Sequence, residues 1–212
     1  MTTAIRILAL VVAACAAAGL TEGALAKTET PDYVVVETLA DDIEIRDYPA
    51  LLYAEVDVGG DRDAAANRAF RILAAYIFGD NKTRGEIAMT APVTQAPSEK
   101  IAMTAPVTQS PAAGGLWTVR FGMPSKYTRA TLPEPTDDRI RIIEVPARRV
   151  AAIVFSGRLT DRNFERHGEA LTALLSSKGL ETVGVQEYAY YNGPFTPFFM
   201  RRNEVLVELA AE

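Results

Sequence analysis

Only two stretches of this chain carry a helical period, and both are set among short alternating apolar runs, which confines the fold to a β-rich body with two helices. The first stretch runs from about residue 61 to 78, with Asp61 as its cap and Gly79 where a left-handed stop is wanted. Ala66, Phe70, Leu73 and Ile77 recur on one face of it. The second runs from about residue 161 to 178, between Thr160 as cap and Gly179 as stop, and Phe164, Leu171, Leu174 and Leu175 form its apolar face. Runs at 33–39, 43–48, 51–58, 87–93, 101–107, 116–123, 140–145, 150–155, 183–191 and 205–209 alternate with period two and are rich in Val, Ile and Tyr, so they read as strands.

The two caps lie 99 residues apart, and each helix is preceded by about three strands and followed by two. This spacing predicts a duplicated strand-strand-strand-helix-strand-strand unit. Either half alone would leave one side of a small sheet uncovered, so the halves are expected to join in one barrel-like or two-sheet α+β body, mostly antiparallel. Gly114-Gly115 and residues 132–138, which hold Pro133 and Pro135, are the natural places for the connection and a long surface loop.

At the amino end a single cation, Arg6, precedes an uncharged run over 7–20, and Ala24-Leu25-Ala26 stands before Lys27. That pattern predicts a secretory signal over 1–26, a short leader over 27–32 and one domain over 33–212, exported to the periplasm. The run is shorter than the roughly 20 residues a membrane-spanning helix needs. Val12-Ala13-Ala14-Cys15 offers a second reading, a lipoprotein anchored through Cys15, and it exports the chain as well. The net charge of −5 gives nothing that attracts nucleic acid or an anionic membrane surface. Cys15 is the only cysteine, so a form cleaved after Ala26 has no disulfide and depends on an ordinary core.

Residues 87–95 read Ile-Ala-Met-Thr-Ala-Pro-Val-Thr-Gln, and 101–109 repeat them. Two copies so close predict a hairpin with residues 96–100 as its loop, in which Val93 faces Met103 and Met89 faces Val107. That register puts Ile87, Met89, Ala91 and Val93 on one face with Ile101, Met103, Ala105 and Val107. Pro92 and Pro106 each need an edge, a strand end or a bulge. Met89 and Met103 then serve as core packing, as an adaptable apolar lining, or as thioether ligands to iron.

Two copies of Ile-Ala-Met-Thr-Ala-Pro-Val after a helix ending in Tyr76-Ile77-Phe78-Gly79-Asp80-Asn81 resemble the SOUL haem-binding family. The segments Phe121-Gly122-Met123-Pro124-Ser125-Lys126-Tyr127, Leu132-Pro133-Glu134-Pro135, Phe155-Ser156-Gly157 and the run from Tyr191-Asn192-Gly193-Pro194-Phe195 to Val205 fit the same pattern. So does the opening Tyr33 to Glu37 with Ile43 to Arg46, which carries the resemblance over roughly 32–209. The resemblance implies a distorted antiparallel β-barrel with two helices, built from a unit similar to that of bacterial effector-binding domains. It also implies binding of haem or another tetrapyrrole in a shallow apolar cleft beside the first helix, without a catalytic step.

A haem site needs an apolar floor, cations for the propionates and, in many cases, an axial ligand. On the first helix Ala65, Ala69, Ile72 and Tyr76 widen the apolar sector on one flank, and Arg68 borders it; this flank is either the floor or simply more core. His167 is the only histidine, and it falls within the apolar face of the second helix, as a packing residue or an axial ligand. Some SOUL relatives use a histidine nearer the amino end, and this chain has none there. Arg201 and Arg202 are read as partners of Glu204 or Glu208 along a strand.

No Ser, Cys or metal-based catalytic constellation and no glycine-rich phosphate loop appears, so the expected role is binding, not catalysis. A second reading is a periplasmic effector-binding module for hydrophobic or cationic ligands, with Glu187 as its buried carboxylate. The aromatic run Phe195, Phe198 and Phe199 would mark a protein partner if exposed, but the neighbouring prolines and glycines predict its burial in a tight connection.

Overall fold

A computed structural model describes residues 28–83, 97–193 and 195–210. Three strands open the chain, β1 (Val34–Ala40), β2 (Ile43–Tyr48) and β3 (Leu51–Val58), followed by helix α1 (Arg62–Phe78) and the short β4 (Asn81–Lys82). Then come β5 (Val107–Ala112), β6 (Leu116–Gly122), the short β7 (Glu134–Pro135), β8 (Arg141–Val145), β9 (Arg148–Phe155), helix α2 (Asp161–Ser177), β10 (Thr182–Tyr190) and β11 (Asn203–Leu209). The helix ends fall where the cap chemistry put them. Asp61 accepts from the Ala64 N–H and Gly79 closes α1 at φ 130°, while Thr160 accepts from the Asn163 N–H and Gly179 follows α2 at φ 71°.

Nine strands form one antiparallel sheet in the order β1-β2-β9-β11-β10-β5-β6-β3-β8, and β4 pairs with β7 apart from it. No pairing closes β1 on β8 among the described residues, so the expected barrel is an open sheet here. Each half finds its cover in a helix on one face. Helix α1 covers β3 and β6 in a core of Ala54, Val56, Val119 and Phe121, with Leu73 and Ile77 above them. Helix α2 covers β9 and β11 in a second core, where Phe164, Leu171 and Leu175 meet Ala151, Ile153, Val205 and Val207.

The expected hairpin over 87–109 is tested only in its second arm, because 84–96, with Met89 and Pro92, lie outside the described residues. In that arm residues 101–106 are not strand. Their backbone groups are taken by other partners: the Ile101 N–H donates to the Ile77 carbonyl at the end of α1, and the Ala105 N–H donates to the Glu29 carbonyl. The ladder starts at Val107, directly after Pro106, which fits a residue that cannot donate. Gly114-Gly115 turn out to be the turn of the β5–β6 hairpin, both at positive φ, and the halves are joined through residues 123–140.

Candidate functional site

One row of paired residues crosses the sheet: Phe155, Asn203, Tyr190, Val107, Phe121, Ala54 and Ile142. Its aromatic members meet both helices, Phe155 and Tyr190 with Phe164 of α2 at 5.2 and 5.3 Å between centroids, and Phe121 with Phe70 of α1 at 5.4 Å. The helices themselves are joined at their first residues. Buried Arg62 donates to Asp161, to the Leu159 carbonyl at 2.6 Å and to the Tyr190 hydroxyl at 2.8 Å.

Two irregular segments emerge at this row. Residues 101–106 cross from the last turn of α1 to Val107, and 191–202 connect Tyr190 to Asn203. Large apolar side chains stay in solvent around them: Phe70 (42 % exposed) and Phe78 on α1, Met103 on the first segment, and Phe195 (98 %), Phe198, Phe199 and Met200 on the second. The expected burial of the 195–199 aromatics is thus overturned: Phe195, Phe198 and Phe199 stay exposed on the β10–β11 connection.

The flank of α1 named as a ligand floor faces the protein. Ala65, Ala69 and Tyr76 are fully buried, and Ile72 is half-buried against the same core. The two alanines let the helix lie close on β3 and β6, and the Tyr76 hydroxyl donates to the Pro133 carbonyl at 2.7 Å. Helix α1 is therefore rolled so that Phe70, expected in the core, is half out of it. Arg68 is exposed and donates to the Gly59 carbonyl at 3.1 Å, just before its own helix.

His167 stacks on Phe155 at 3.8 Å with rings 7° from parallel, and its Nδ1 lies 2.6 Å from the Asn163 carbonyl oxygen. A carbonyl only accepts, so Nδ1 carries a proton, and Nε2 is the ring nitrogen left to face a ligand. Between Phe155 on β9 and Phe121 on β6 lie four strand spacings, roughly 19 Å. The α1 surface and His167 are thus opposite banks of one aromatic row, not parts of one cluster.

The other face of the sheet holds a charge network that the alternation of strand residues hides. Glu187 is buried and accepts from Arg148 at 2.8 and 3.2 Å, with Arg120 at 3.7 Å. Glu55 accepts from Arg120 and Arg141. Glu204, fully buried, accepts from Arg46 at 3.0 Å, Arg202 at 2.6 Å and the Tyr191 hydroxyl at 2.9 Å, so Arg202 has the internal role expected of it, while Arg201 donates to the Thr196 carbonyl. Burial pushes the Tyr53 phenol up to about 12, helped by the Glu187 charge. Among the described residues no buried side-chain polar atom lacks a partner.

Two hollows are present, and the first opens next to the row at Gly122, Tyr53 and Thr104. One of about 350 Å3 is walled by Leu51, Leu52, Tyr53, Met123 and the leader Glu29–Asp32, and one of about 800 Å3 by Tyr48, Arg148, Arg149, Glu181 and Glu208. Their walls carry charged residues, and a flat apolar ligand gains more from the exposed aromatic surface beside α1.

The class of protein defined by the fold is α+β, with two helices over one antiparallel sheet, and exposed apolar side chains stand beside α1. The chain matches the SOUL heme-binding protein family over residues 28–208 and belongs to that family. Haem binding is the general property of the family, and the residues beside α1 fit the group: Phe70 and Met103 offer apolar contact, and Arg68 and Arg71 are exposed cations. No curated protein matches the chain.

Among solved structures, the C-terminal domain of EcmrR is similar at TM-score 0.58 and 9 % identity, covering 80 % of this chain and 98 % of that one. An uncharacterized conserved protein from Listeria innocua is similar at TM-score 0.52 and 13 % identity, over 87 % and 94 %. A protein from Listeria innocua described as a hydrolase follows at TM-score 0.50 and 12 % identity, over 88 % and 94 %. At these identities the likeness is one of fold.

Proposed function

We propose that the chain captures haem or a related tetrapyrrole in an apolar cleft beside α1, for sequestration or transport after export, and that it performs no catalytic step. The observation that carries this reading is the half-exposed Phe70 seated on Phe121, next to the strand start at Val107 and the exposed Met103. These residues replace the inward-facing Ala65, Ala69 and Tyr76 as the floor, and Arg68 and Arg71 are at hand for propionates. Export rests on the signal pattern over 1–26 and on nothing else.

Two similar halves remain part of the proposal. In its support, β3, α1, β5 and β6 stand in the order β3-β6-β5, and β9, α2, β10 and β11 stand in the order β9-β11-β10, one the reverse of the other along the sheet. A second reading is the effector-binding module that the sequence also allows. Glu187, its candidate carboxylate, is neutralised by the two-pronged contact from Arg148, which speaks for neutral or anionic ligands over cationic ones.

The test is a titration of the chain from Lys27 onward with haemin and with iron-free protoporphyrin, followed by the Soret band and by quenching of Trp117. Equal, saturable binding of both is the result of apolar capture, and Phe70→Glu should weaken it at least tenfold while circular dichroism shows the protein still folded, with a midpoint lowered by only a few degrees. A shifted Soret band lost in His167→Ala would place the haem on the α2 bank and overturn the cleft beside α1. Failure of both tetrapyrroles to saturate, or full affinity in Phe70→Glu, overturns the cleft beside α1.

A further inference from the structure

The β10–β11 connection carries more apolar surface than a surface loop needs. Phe195, Phe198, Phe199 and Met200 stand within six residues of one another, and Phe195 touches almost nothing, at 98 % exposure. Scattered exposed apolar residues are ordinary, but a cluster of four on one turn marks a surface that meets something.

The turn is rigid. The Thr196 N–H donates to the Gly193 carbonyl at 3.1 Å, the Met200 N–H to the Pro197 carbonyl at 2.9 Å, and Arg201 Nε to the Thr196 carbonyl at 2.8 Å. Its base is fixed as well, because the Gly157 N–H donates to the Phe198 carbonyl at 2.9 Å and the Arg202 N–H to Asn192 Oδ1 at 2.7 Å. Phe198 and Phe199 stand edge to face, 88° apart, so the rings are held outward instead of collapsing onto the body. Ordering such a tip on contact costs little, since it is ordered already.

Its surroundings are basic although the chain as a whole is acidic. The Arg158 guanidinium lies over the Phe198 ring at 5.3 Å, and Arg158 offers its carbonyl to Asn163 Nδ2, whose Oδ1 accepts from Arg166 at 2.8 Å. Arg158 and Arg201 thus touch the tip directly, and Arg166 is joined to Arg158 through Asn163. Nearby acids are largely spent: Asp161 is held by Arg62, and Glu204 by Arg46 and Arg202, leaving Glu165 on the exposed side of α2.

Aromatic side chains pointing outward from a ring of arginines suit the boundary of an anionic bilayer, where rings enter the headgroup layer and guanidinium groups meet phosphates. We propose that residues 195–200, with Arg158 and Arg166, dock the protein on an anionic lipid surface. This does not rest on the tetrapyrrole reading.

Both hydrophobic cores are built from residues 43–209, so the chain from Lys27 onward keeps the whole described body without the apolar run near the amino end. That protein, free of haem, would be floated with phosphatidylcholine vesicles that contain or lack about one third phosphatidylglycerol, and its fold checked by circular dichroism. Partition onto the anionic vesicles should exceed that onto neutral ones at least tenfold and shrink at about 0.5 M salt, where charge screening is nearly complete. The triple substitution Phe195→Ser, Phe198→Ser, Phe199→Ser should lower it at least tenfold, and Arg158→Gln with Arg166→Gln at least threefold, with thermal midpoints unchanged. Equal partition onto the two vesicles, or full partition by the folded triple variant, overturns the proposal. Capture of a protein by the tip without any vesicle binding also overturns it.

Discussion

Arg62→Ala is the substitution that most directly tests how the two halves are held together. The side chain is 4 % exposed, and its partners separate into groups that water can satisfy and groups that it cannot. Asp161 and Asp63, 65 % and 72 % exposed, are resolvated when the guanidinium is gone, so those two ion pairs contribute about 1 kcal/mol or less each. The Leu159 carbonyl loses a charged donor, which costs about 2 kcal/mol, and the guanidinium over the Phe164 ring at 4.9 Å adds about 1 kcal/mol. The Tyr190 hydroxyl still donates to Gln109 Oε1 at 3.0 Å, so its loss is small. The sum is a destabilisation of about 4 kcal/mol. Asp161→Asn, which removes only the exposed partner, should cost about 1 kcal/mol or less. Urea unfolding followed by Trp117 fluorescence and far-ultraviolet circular dichroism measures both. An Arg62→Ala protein within about 1 kcal/mol of the parent, or an Asp161→Asn protein as weak as Arg62→Ala, would refute this division between buried and exposed partners.

The roll of α1 has its own check: Leu73→Ala, at a fully buried site, should cost about 3 kcal/mol in urea melts, whereas Phe70→Ala on the half-exposed side should cost about 1 kcal/mol. Alkaline stability follows from the tyrosines. Burial pushes the Tyr53 and Tyr190 phenols up to about 12, so the protonated ring is favoured in the folded state. Their contribution is intact below a pH of about 10, the value for an unfolded tyrosine, and is lost as pH rises through about 12. Phenolate absorbance should therefore appear together with loss of the folded signal in that window, and ionisation of all tyrosines near pH 10 without unfolding would contradict it.

The local grammar of this sequence was legible almost to the residue. Caps at Asp61 and Thr160, glycines at 79 and 179, and period-two runs such as 43–48 and 51–58 reappear as elements with nearly those ends, because caps, left-handed stops and alternation are settled by a few neighbouring residues. Family membership was legible too, since it rests on motifs in order along the chain. The roll of α1 was not. With Ala64, Ala65, Ala66, Ala69, Ala74 and Ala75 in one helix, apolar character runs around most of its circumference, and only the sheet beneath decides that Ala65 and Ala69 face in and Phe70 faces partly out.

The same limit applies to residues 101–106 and 195–200. Alternation made a strand of the first, but Ile77 and Glu29, distant in sequence, take its backbone bonds. Prolines and glycines announced a tight turn in the second without saying that its aromatics stay exposed. The arginine partners of Glu187 and Glu204 come from strands that become neighbours only through the order β2-β9-β11-β10. By itself the sequence determined both helices, most of the strands and the family to which the chain belongs, since these depend on residues near one another or on motifs in series. The tertiary structure decided which faces are buried, which charges are neutralised and which aromatics remain in solvent, because those depend on strand pairings between residues far apart in the chain.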